Sequence, residues 1–257
     1  MSTALFGSII FGPIQSRRLG VSLGVNLLPA TGKVCSFDCV YCECGYNAER
    51  KGGKLPTKEE VKKALHQTLS EMHEAQKHLD VITFAGNGEP TMHPYFAEII
   101  DYTLSLRDTF YPNVKVSVLS NSTRIERPAV FEALKKVDNN ILKLDSAIQA
   151  TFDQINAPVG LPLSVDQLIA YLAAFKGQLI IQTLFLRGEV GGAIIDNTTE
   201  AEVDAWIAAL EQIKPRLVMI YSIDRPTPAK QLTKVGKEEL EQIADKARQK
   251  GFEVSVA

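Results

Sequence analysis

From Met1 to Val34, and again from Gly45 to Ala257, the chain has no cysteine. Disulfides scattered through the fold are therefore not a source of its stability. Nor does any run approach the ~20 apolar residues that a membrane-spanning helix needs. The opening MSTALFGSIIFGPIQSRR has a short apolar stretch, but no basic residue precedes it and Pro13 follows closely on Ile9 and Ile10, unlike a secretory signal. We therefore expect a cytoplasmic protein with no membrane partner. An excess of one charge is missing too: 28 Lys and Arg face 30 Asp and Glu, a net charge of −2. That provides no broad basic footprint for tight, non-specific nucleic-acid binding. The local pairs Arg17–Arg18 and Lys135–Lys136 read as solvated surface, or at most as local contacts.

What is present is ordinary globular material, 45% hydrophobic and 23% charged over 257 residues, long enough for one α/β barrel. Short β-rich apolar runs alternate with helical patterns. VSLGVNLL (21–28), DVITFAG, VKVSVLS, ILKLDSA, LIIQTLFL and RLVMIYSI read as six strands, with FEVSV at the end of the chain. Between them, TKEEVKKALHQTLSEMHEA reads as a helix opened by a Thr57–Glu60 capping box, with Val61, Ala64, Leu65, Leu69 and Met72 as its apolar stripe. Further helices are expected around 95–108, 127–137, 164–175 and 237–250, and one opened by a Thr199–Glu202 capping box. Strands buried on both faces and alternating with helices imply a parallel sheet, here a full or partial (β/α)6-type, TIM-like barrel. One domain spans 1–257, with no linker or low-complexity segment: a cysteine loop at 29–45, a ligand-binding core over about 20–190, and βα units over about 199–257.

In parallel α/β folds ligands bind at the C-terminal ends of the strands. Those ends are polar or glycine-rich in this sequence. The cysteine loop, GNGEPTMHP (86–94), SNST (120–123) and LDSA (144–147) follow the first four strands. Gln182, Thr183 and Arg187 lie late in the fifth, and SIDRPTP (222–228) ends the sixth. Lys143 and Asp145 alternate along ILKLDSA and so share a face, opposite Leu142 and Leu144. They are either residues of the site or an internal ion pair. His66 and His93 read as surface or packing residues.

All four cysteines fall in CSFDCVYCEC (35–44). Clustered, reduced thiols more often bind metal or do chemistry than form disulfides. Cys35, Cys39 and Cys42 form C-x3-C-x2-C, short enough for one loop to wrap a compact metal centre. Structural zinc wants a closed set of four ligands, usually in two separated pairs, and no second pair exists here. A [4Fe–4S] cluster ordinarily takes four cysteines. Three would leave one iron open, whereas Cys44 as a fourth ligand would close it into an electron-transfer centre. Four inert buried thiols are the remaining reading.

The C-x3-C-x2-C spacing resembles the signature of the radical S-adenosylmethionine (radical SAM) superfamily. That resemblance implies a [4Fe–4S] cluster on Cys35, Cys39 and Cys42, with Cys44 left out, and SAM bound at the open iron. It implies reductive cleavage of SAM to methionine and a 5′-deoxyadenosyl radical that abstracts hydrogen from a substrate. It also implies a one-electron reductant such as flavodoxin or ferredoxin. Tyr41 matches the aromatic that lies near the adenine. Gly86-Asn87-Gly88-Glu89-Pro90 resembles the segment that binds SAM's methionine, with Glu89 on its amino group. Ser120, Asn121 and Ser122 stand where polar residues meet the ribose or the methionine carboxylate. Lys143 and Asp145 complete the cofactor set, and Arg187, Asp224 and Arg225 are candidates for substrate contact and catalysis. FGPIQSRRLGVSLGVNLLP, together with CSFDCVYCECG and FAGNGEPTMHP, resembles the group related to wyosine-type tRNA-base synthases. Those synthases carry a second cluster on extra N-terminal cysteines, which this chain lacks before Cys35. The substrate therefore stays unassigned: a nucleobase, an RNA base or another small molecule. A glycyl-radical activating enzyme and a non-catalytic iron–sulfur protein are the alternatives.

Overall fold

The computed structural model describes residues 5–16, 18–50, 52–160 and 163–257; Arg17, half of one basic pair above, lies outside them. Strand β1 (Ile10–Ser16) turns back antiparallel onto β2 (Gly20–Val25). The cysteine loop follows, with a short 3-10 turn at Asn47–Arg50, and then α1 (Lys58–Glu74). Next come β3 (Val81–Phe84), a single 3-10 turn at Pro90–Met92, and α2 (Phe96–Phe110). Strand β4 (Lys115–Ser120) leads to α3 (Pro128–Lys136), and β5 (Asn139–Lys143) to α4 (Gln149–Asn156) and α5 (Val165–Ala173). Strand β6 (Ile180–Val190) runs into β7 (Ala193–Asp196) and α6 (Glu200–Ile213). Strand β8 (Leu217–Ser222), β9 (Gln231–Lys234), α7 (Lys237–Gln249) and β10 (Val254–Val256) complete the chain.

The main sheet runs β1-β2-β3-β4-β5-β6-β8-β10. From β2 onward every neighbouring pair in that order is parallel. β1 and β10 end the order without pairing to each other, so the barrel is partial rather than full. Its six main strands are the six expected from the sequence. Leu23 and Val25 on β2 belong with Ile82, Val116, Val118 and Leu142 to the large core cluster packed beneath the helices. Ser22 faces the other way, where its hydroxyl meets that of Thr83 at 2.8 Å across the β2–β3 pair. A second, small apolar cluster of Ile141, Ile180 and Met219, ringed by Leu19, Leu119 and Leu217, sits apart from the main core.

Local chemistry explains the helices. α1 has the full capping box: Thr57 Oγ1 accepts from the Glu60 amide at 3.2 Å, and the Glu60 carboxylate accepts from the Thr57 amide at 2.7 Å. Its stripe of Val61, Leu65, Leu69 and Met72 is buried, each side chain contributing ~1.5–3 kcal/mol. At α6 only half of the expected box forms. Thr199 caps the Glu202 amide, but the Glu202 carboxylate turns to the Ser146 hydroxyl at 2.7 Å instead of reaching back.

Five elements depart from the sequence reading. β1 is an edge strand interrupted by Gly12 and Pro13, so it lacks a clean alternation. α4 has no side-chain cap to announce it. β6 outruns its parallel neighbours, and its far half pairs antiparallel with both β7 and β9. Gly191 and Gly192, at φ 60° and 83°, make the tight β6–β7 turn. Gly188 lets β9 come close, because a Cβ there would stand 2.3 Å from the Gln231 carbonyl oxygen.

Candidate functional site

The ends of β2, β3, β4, β5, β6 and β8 open onto one cavity of about 260 Å³. The cysteine loop supplies Cys35, Cys39, Tyr41, Cys42 and Cys44 to its wall, β3's end Gly86, Gly88 and Glu89, and β4's end Ser120 and Asn121. Arg18, Lys143, Gln182, Tyr221 and the segment from Ser222 to Arg225 also line it. Asn87, Ser122, Asp145 and Arg187 do not line it.

The cysteine loop is pinned on both flanks. Val34 and Gly88 form a parallel bridge, with Val34 N on Asn87 O and Glu89 N on Val34 O, both at 3.0 Å. Gly88, at φ 130°, has to be glycine because a Cβ would stand 1.9 Å from the Val34 carbonyl oxygen. Its close approach is thus to the loop's own backbone. On the other flank, Asp38 N and Val40 N donate to the C-terminal turn of α4. Inside the loop, the Lys33 ammonium is fully enclosed, 2.7 Å from Gly45 O and 3.3 Å from the Asp38 carboxylate. Burial opposes its charge, yet Cys42, Cys35, Cys39 and Asp38 together hold its pKa above the ordinary lysine value.

The four thiols are not equivalent. Burial, then Cys39 and Glu89, push Cys35 up to about 12, and burial also raises Cys39. The adjacent Cys44 thiol pulls Cys42 down to about 5, and Cys42 raises Cys44 in turn. The buried Cys44 thiol lies 3.4 Å from the Gly86 carbonyl oxygen, its hydrogen-bond acceptor. Asn121 and Asn156 each direct a side-chain amide at a sulfur, of Cys35 and Cys39 respectively, at 3.5 Å.

Glu89 caps the 3-10 turn at Pro90–Met92, and four donors hold its carboxylate, three on Oε1 and one on Oε2. Its carboxylate accepts from the Thr91 amide at 3.1 Å, the Thr91 hydroxyl at 2.5 Å, the Ser120 hydroxyl at 2.8 Å and the Asn121 amide at 2.6 Å. Burial raises its pKa against these four bonds. Ser122 is turned away, its hydroxyl on the Lys143 carbonyl at 3.2 Å.

Lys143 and Asp145 form the internal ion pair, 3.5 Å apart, and Tyr41 closes a triad: the ammonium donates to its hydroxyl, which donates to Asp145. Only Lys143 and Tyr41 reach the cavity. Asp145 stays behind its wall because it also accepts from Asn156 at 2.7 Å and from the Leu184 amide at 2.9 Å. Burial disfavours the Lys143 charge, but Asp145 and then Cys39 hold its pKa far above the ordinary value. Burial, reinforced by Asp145, raises Tyr41 as well.

Asn87 points the other way and acts as a staple. Its amide group donates to Phe6 O at 2.9 Å and Pro29 O at 2.8 Å, and its Oδ1 accepts from the Phe6 amide at 2.8 Å. Arg187 is held outside by Glu239, Thr198 and Asp196 on the β6–β7–β9 extension. Asp224 and Arg225 do border the cavity, paired with Lys234 at 3.0 Å and Glu43 at 2.8 Å. His93 is a packing residue: Nε2 donates to Pro56 O at 2.8 Å, so Nδ1 is the acceptor for the Tyr95 amide at 3.2 Å. Sequence reasoning missed Asn156 and Tyr221, which have no motif around them, and Lys33, which sits in the cysteine loop but outside the cysteine spacing.

Among the described residues no three His, Cys, Asp or Glu side chains converge closely enough to hold a single ion. Tetrahedral zinc, at about 2.3 Å from each sulfur, needs such a group. Cys35, Cys39 and Cys42 instead border one cavity from separate points, with the buried Lys33 charge beside them. This suits a bulkier anionic cluster better than one ion.

The model of the radical SAM superfamily matches residues 30–189. A UPF0026 protein of Helicobacter pylori (strain ATCC 700392 / 26695) is 31% identical over 227 residues, covering 86% of this chain and 68% of that protein. The UPF0026 protein MJ1312 of Methanocaldococcus jannaschii is 29% identical, covering 87% and 66%. Among solved structures, Streptococcus suis SuiB bound to S-adenosylmethionine superposes with a TM-score of 0.64 at 14% identity, over 91% of this chain and 50% of that one. Archaeal TYW1 superposes at 0.53 and 15%, over 89% and 71%. The chain thus spans about two thirds of these UPF0026 relatives and half of SuiB.

Proposed function

We propose, because the chain belongs to the radical SAM superfamily and to its UPF0026 proteins, that it is an enzyme which cleaves S-adenosylmethionine reductively to abstract hydrogen from a small substrate. Cys35, Cys39 and Cys42 would hold a [4Fe–4S] cluster. When bound, that cluster supplies the electron that splits SAM into methionine and a 5′-deoxyadenosyl radical. The observation that carries the reading is the placement of three cysteines, Tyr41 and Glu89 around one cavity at the strand ends. Cys44 borders the same space, but its thiol is engaged with the Gly86 carbonyl, which favours three ligands over four.

The chain's own residues have distinct tasks. Glu89 would take the ammonium of the methionine moiety, a charge-assisted bond, and Asn121 and Ser120 hold that carboxylate in place. Ser120 and Asn121 also border the cavity, where they are available to the rest of the methionine or the ribose. Tyr41 would lie beside the adenine, its ring fixed by the Lys143–Asp145 pair. Lys33 lowers the cost of negative charge on the loop. Gln182, Asp224 and Arg225 remain for the substrate.

The test is anaerobic reconstitution with iron and sulfide, then dithionite and SAM. 5′-Deoxyadenosine should accumulate, and SAM should change the EPR spectrum of the reduced protein. A spectrum indifferent to SAM, with no 5′-deoxyadenosine, would make this an electron-transfer protein instead.

A further inference from the structure

A second chamber of about 670 Å³ adjoins the first, and Arg18, Glu43, Cys44, Gly86, Gln182 and Arg225 border both. Apolar groups dominate much of its wall: Phe6 and Phe11, stacked with ring centroids 3.8 Å apart, join Leu19, Leu119, Ile141 and Met219. The Ser22–Thr83 hydroxyl pair and Gln182 supply polar groups. Volume and lining are within the range of sites for small organic molecules.

Arg18 does not sit on solvated surface, as the sequence alone suggested. It lies in the β1–β2 turn, where its amide donates to Ser16 Oγ at 3.3 Å, and its side chain reaches β8. There the guanidinium carbon stands 4.5 Å from the centre of the Tyr221 ring. Its Nη1 is sealed from solvent and has no hydrogen-bond partner among the described residues. A buried donor without an acceptor costs ~1–3 kcal/mol, more when charged. Two of the acidic groups nearby are paired elsewhere, Glu43 with Arg225 and Asp224 with Lys234. Stacking on Tyr221 leaves the edge of the guanidinium plane for ligands, and that edge matches a planar or tetrahedral oxyanion.

We propose that Arg18 is the substrate anchor, and that the second chamber takes a small molecule with an apolar body and an oxyanionic head, carboxylate or phosphate. This inference rests on the reading of the first chamber as the SAM site.

Isothermal titration calorimetry of the reconstituted, SAM-saturated protein tests it, with benzoate and phenyl phosphate as probes and benzyl alcohol as the neutral control. At least one anion should bind saturably, and benzyl alcohol at least tenfold more weakly. Arg18→Gln should weaken the anion about tenfold or more, the loss of one charge-assisted pair, and Arg18→Lys less. The anion that binds distinguishes carboxylate from phosphate. No saturable anion binding, equal binding of benzyl alcohol, or unchanged affinity in Arg18→Gln overturns the proposal. So does an anion that binds only when SAM is left out, because Arg18 would then serve SAM. If Arg18→Gln does not fold, Arg18→Lys carries the comparison, and affinity equal to wild type sinks the idea. Binding is read without SAM cleavage. Wild-type protein that binds the anion yet makes no 5′-deoxyadenosine would keep this inference and lose the other.

Discussion

Both ends of the barrel carry a cavity, and the larger one lies opposite the cysteine loop. At the N-terminal strand ends, about 840 Å³ is bordered by the exposed Lys77, His78, Asp80, Lys115 and Arg216, and by Arg18, which also borders the two chambers at the other side. Their polar contacts are made at this surface: His78 meets Asp80 at 2.9 Å, Asp80 accepts from the Val21 amide at 2.7 Å, and Arg216 donates to Asn139 Oδ1 at 3.2 Å. At the C-terminal ends, 260 Å³ is walled by or backed by Glu89, Asp145 and Lys33, all nearly fully enclosed. Volume measures how strands splay. Enclosed charge measures where a fold has spent stability on something other than packing, and that makes the C-terminal end the candidate site.

The sharpest way to break this contrast is at the sulfurs. Cys35→Ala, Cys39→Ala and Cys42→Ala should each abolish bound iron and 5′-deoxyadenosine formation, whereas Cys44→Ala should keep both; iron assay and chromatography decide. Next is Asp145→Ala, which strands the Lys143 ammonium in the interior. Losing one partner of a buried pair costs about 3–5 kcal/mol, readable by denaturant unfolding. Glu89→Gln should raise the SAM dissociation constant about tenfold or more while leaving iron content intact, and unchanged affinity counts against its role.

A smaller effect concerns His93. Burial lowers its pKa below the ~6.5 of the unfolded chain, so the unfolded state binds the extra proton more readily. Its contribution to stability is therefore complete above that value and is lost as pH falls. Melting temperature should drop between pH 7 and 5, and less steeply in His93→Gln. Smallest of all, His78→Ala and Lys115→Ala at the opposite end should leave SAM affinity unchanged and stability within about 0.5 kcal/mol. A clear loss of SAM binding there would collapse the distinction between the two ends.

Much of this was legible in the chain because the site is written in contiguous segments. CSFDCVYCEC and GNGEP carry spacing, and each follows an apolar strand, so topology brings them together. Isolated residues were harder. Arg18 looked like half of a surface pair because nothing local says that its side chain crosses to Tyr221. Lys143 and Asp145 were rightly assigned a shared face, but alternation could not say that Asp145 bonds backward to Asn156 and Leu184 while Lys143 looks into the cavity. Asn87 was read as a ligand group from its place between two glycines, and only tertiary contacts reveal the staple. The β7 and β9 strands were hidden because β6 outlasts the barrel, a length that apolar patterning does not encode.

That staple makes the amino-terminal arm a reporter. One side chain ties the Phe6 backbone to the turn that also grips Val34, just ahead of the first cysteine. Damage to the loop, by oxygen or by withdrawal of iron, should therefore be sensed some thirty residues upstream, where the Phe6 amide donates to Asn87. Its hydrogen would exchange with solvent faster as the loop loosens. The arm's tightness then becomes a measure of the loop's integrity, open to mass spectrometry before any substrate is known.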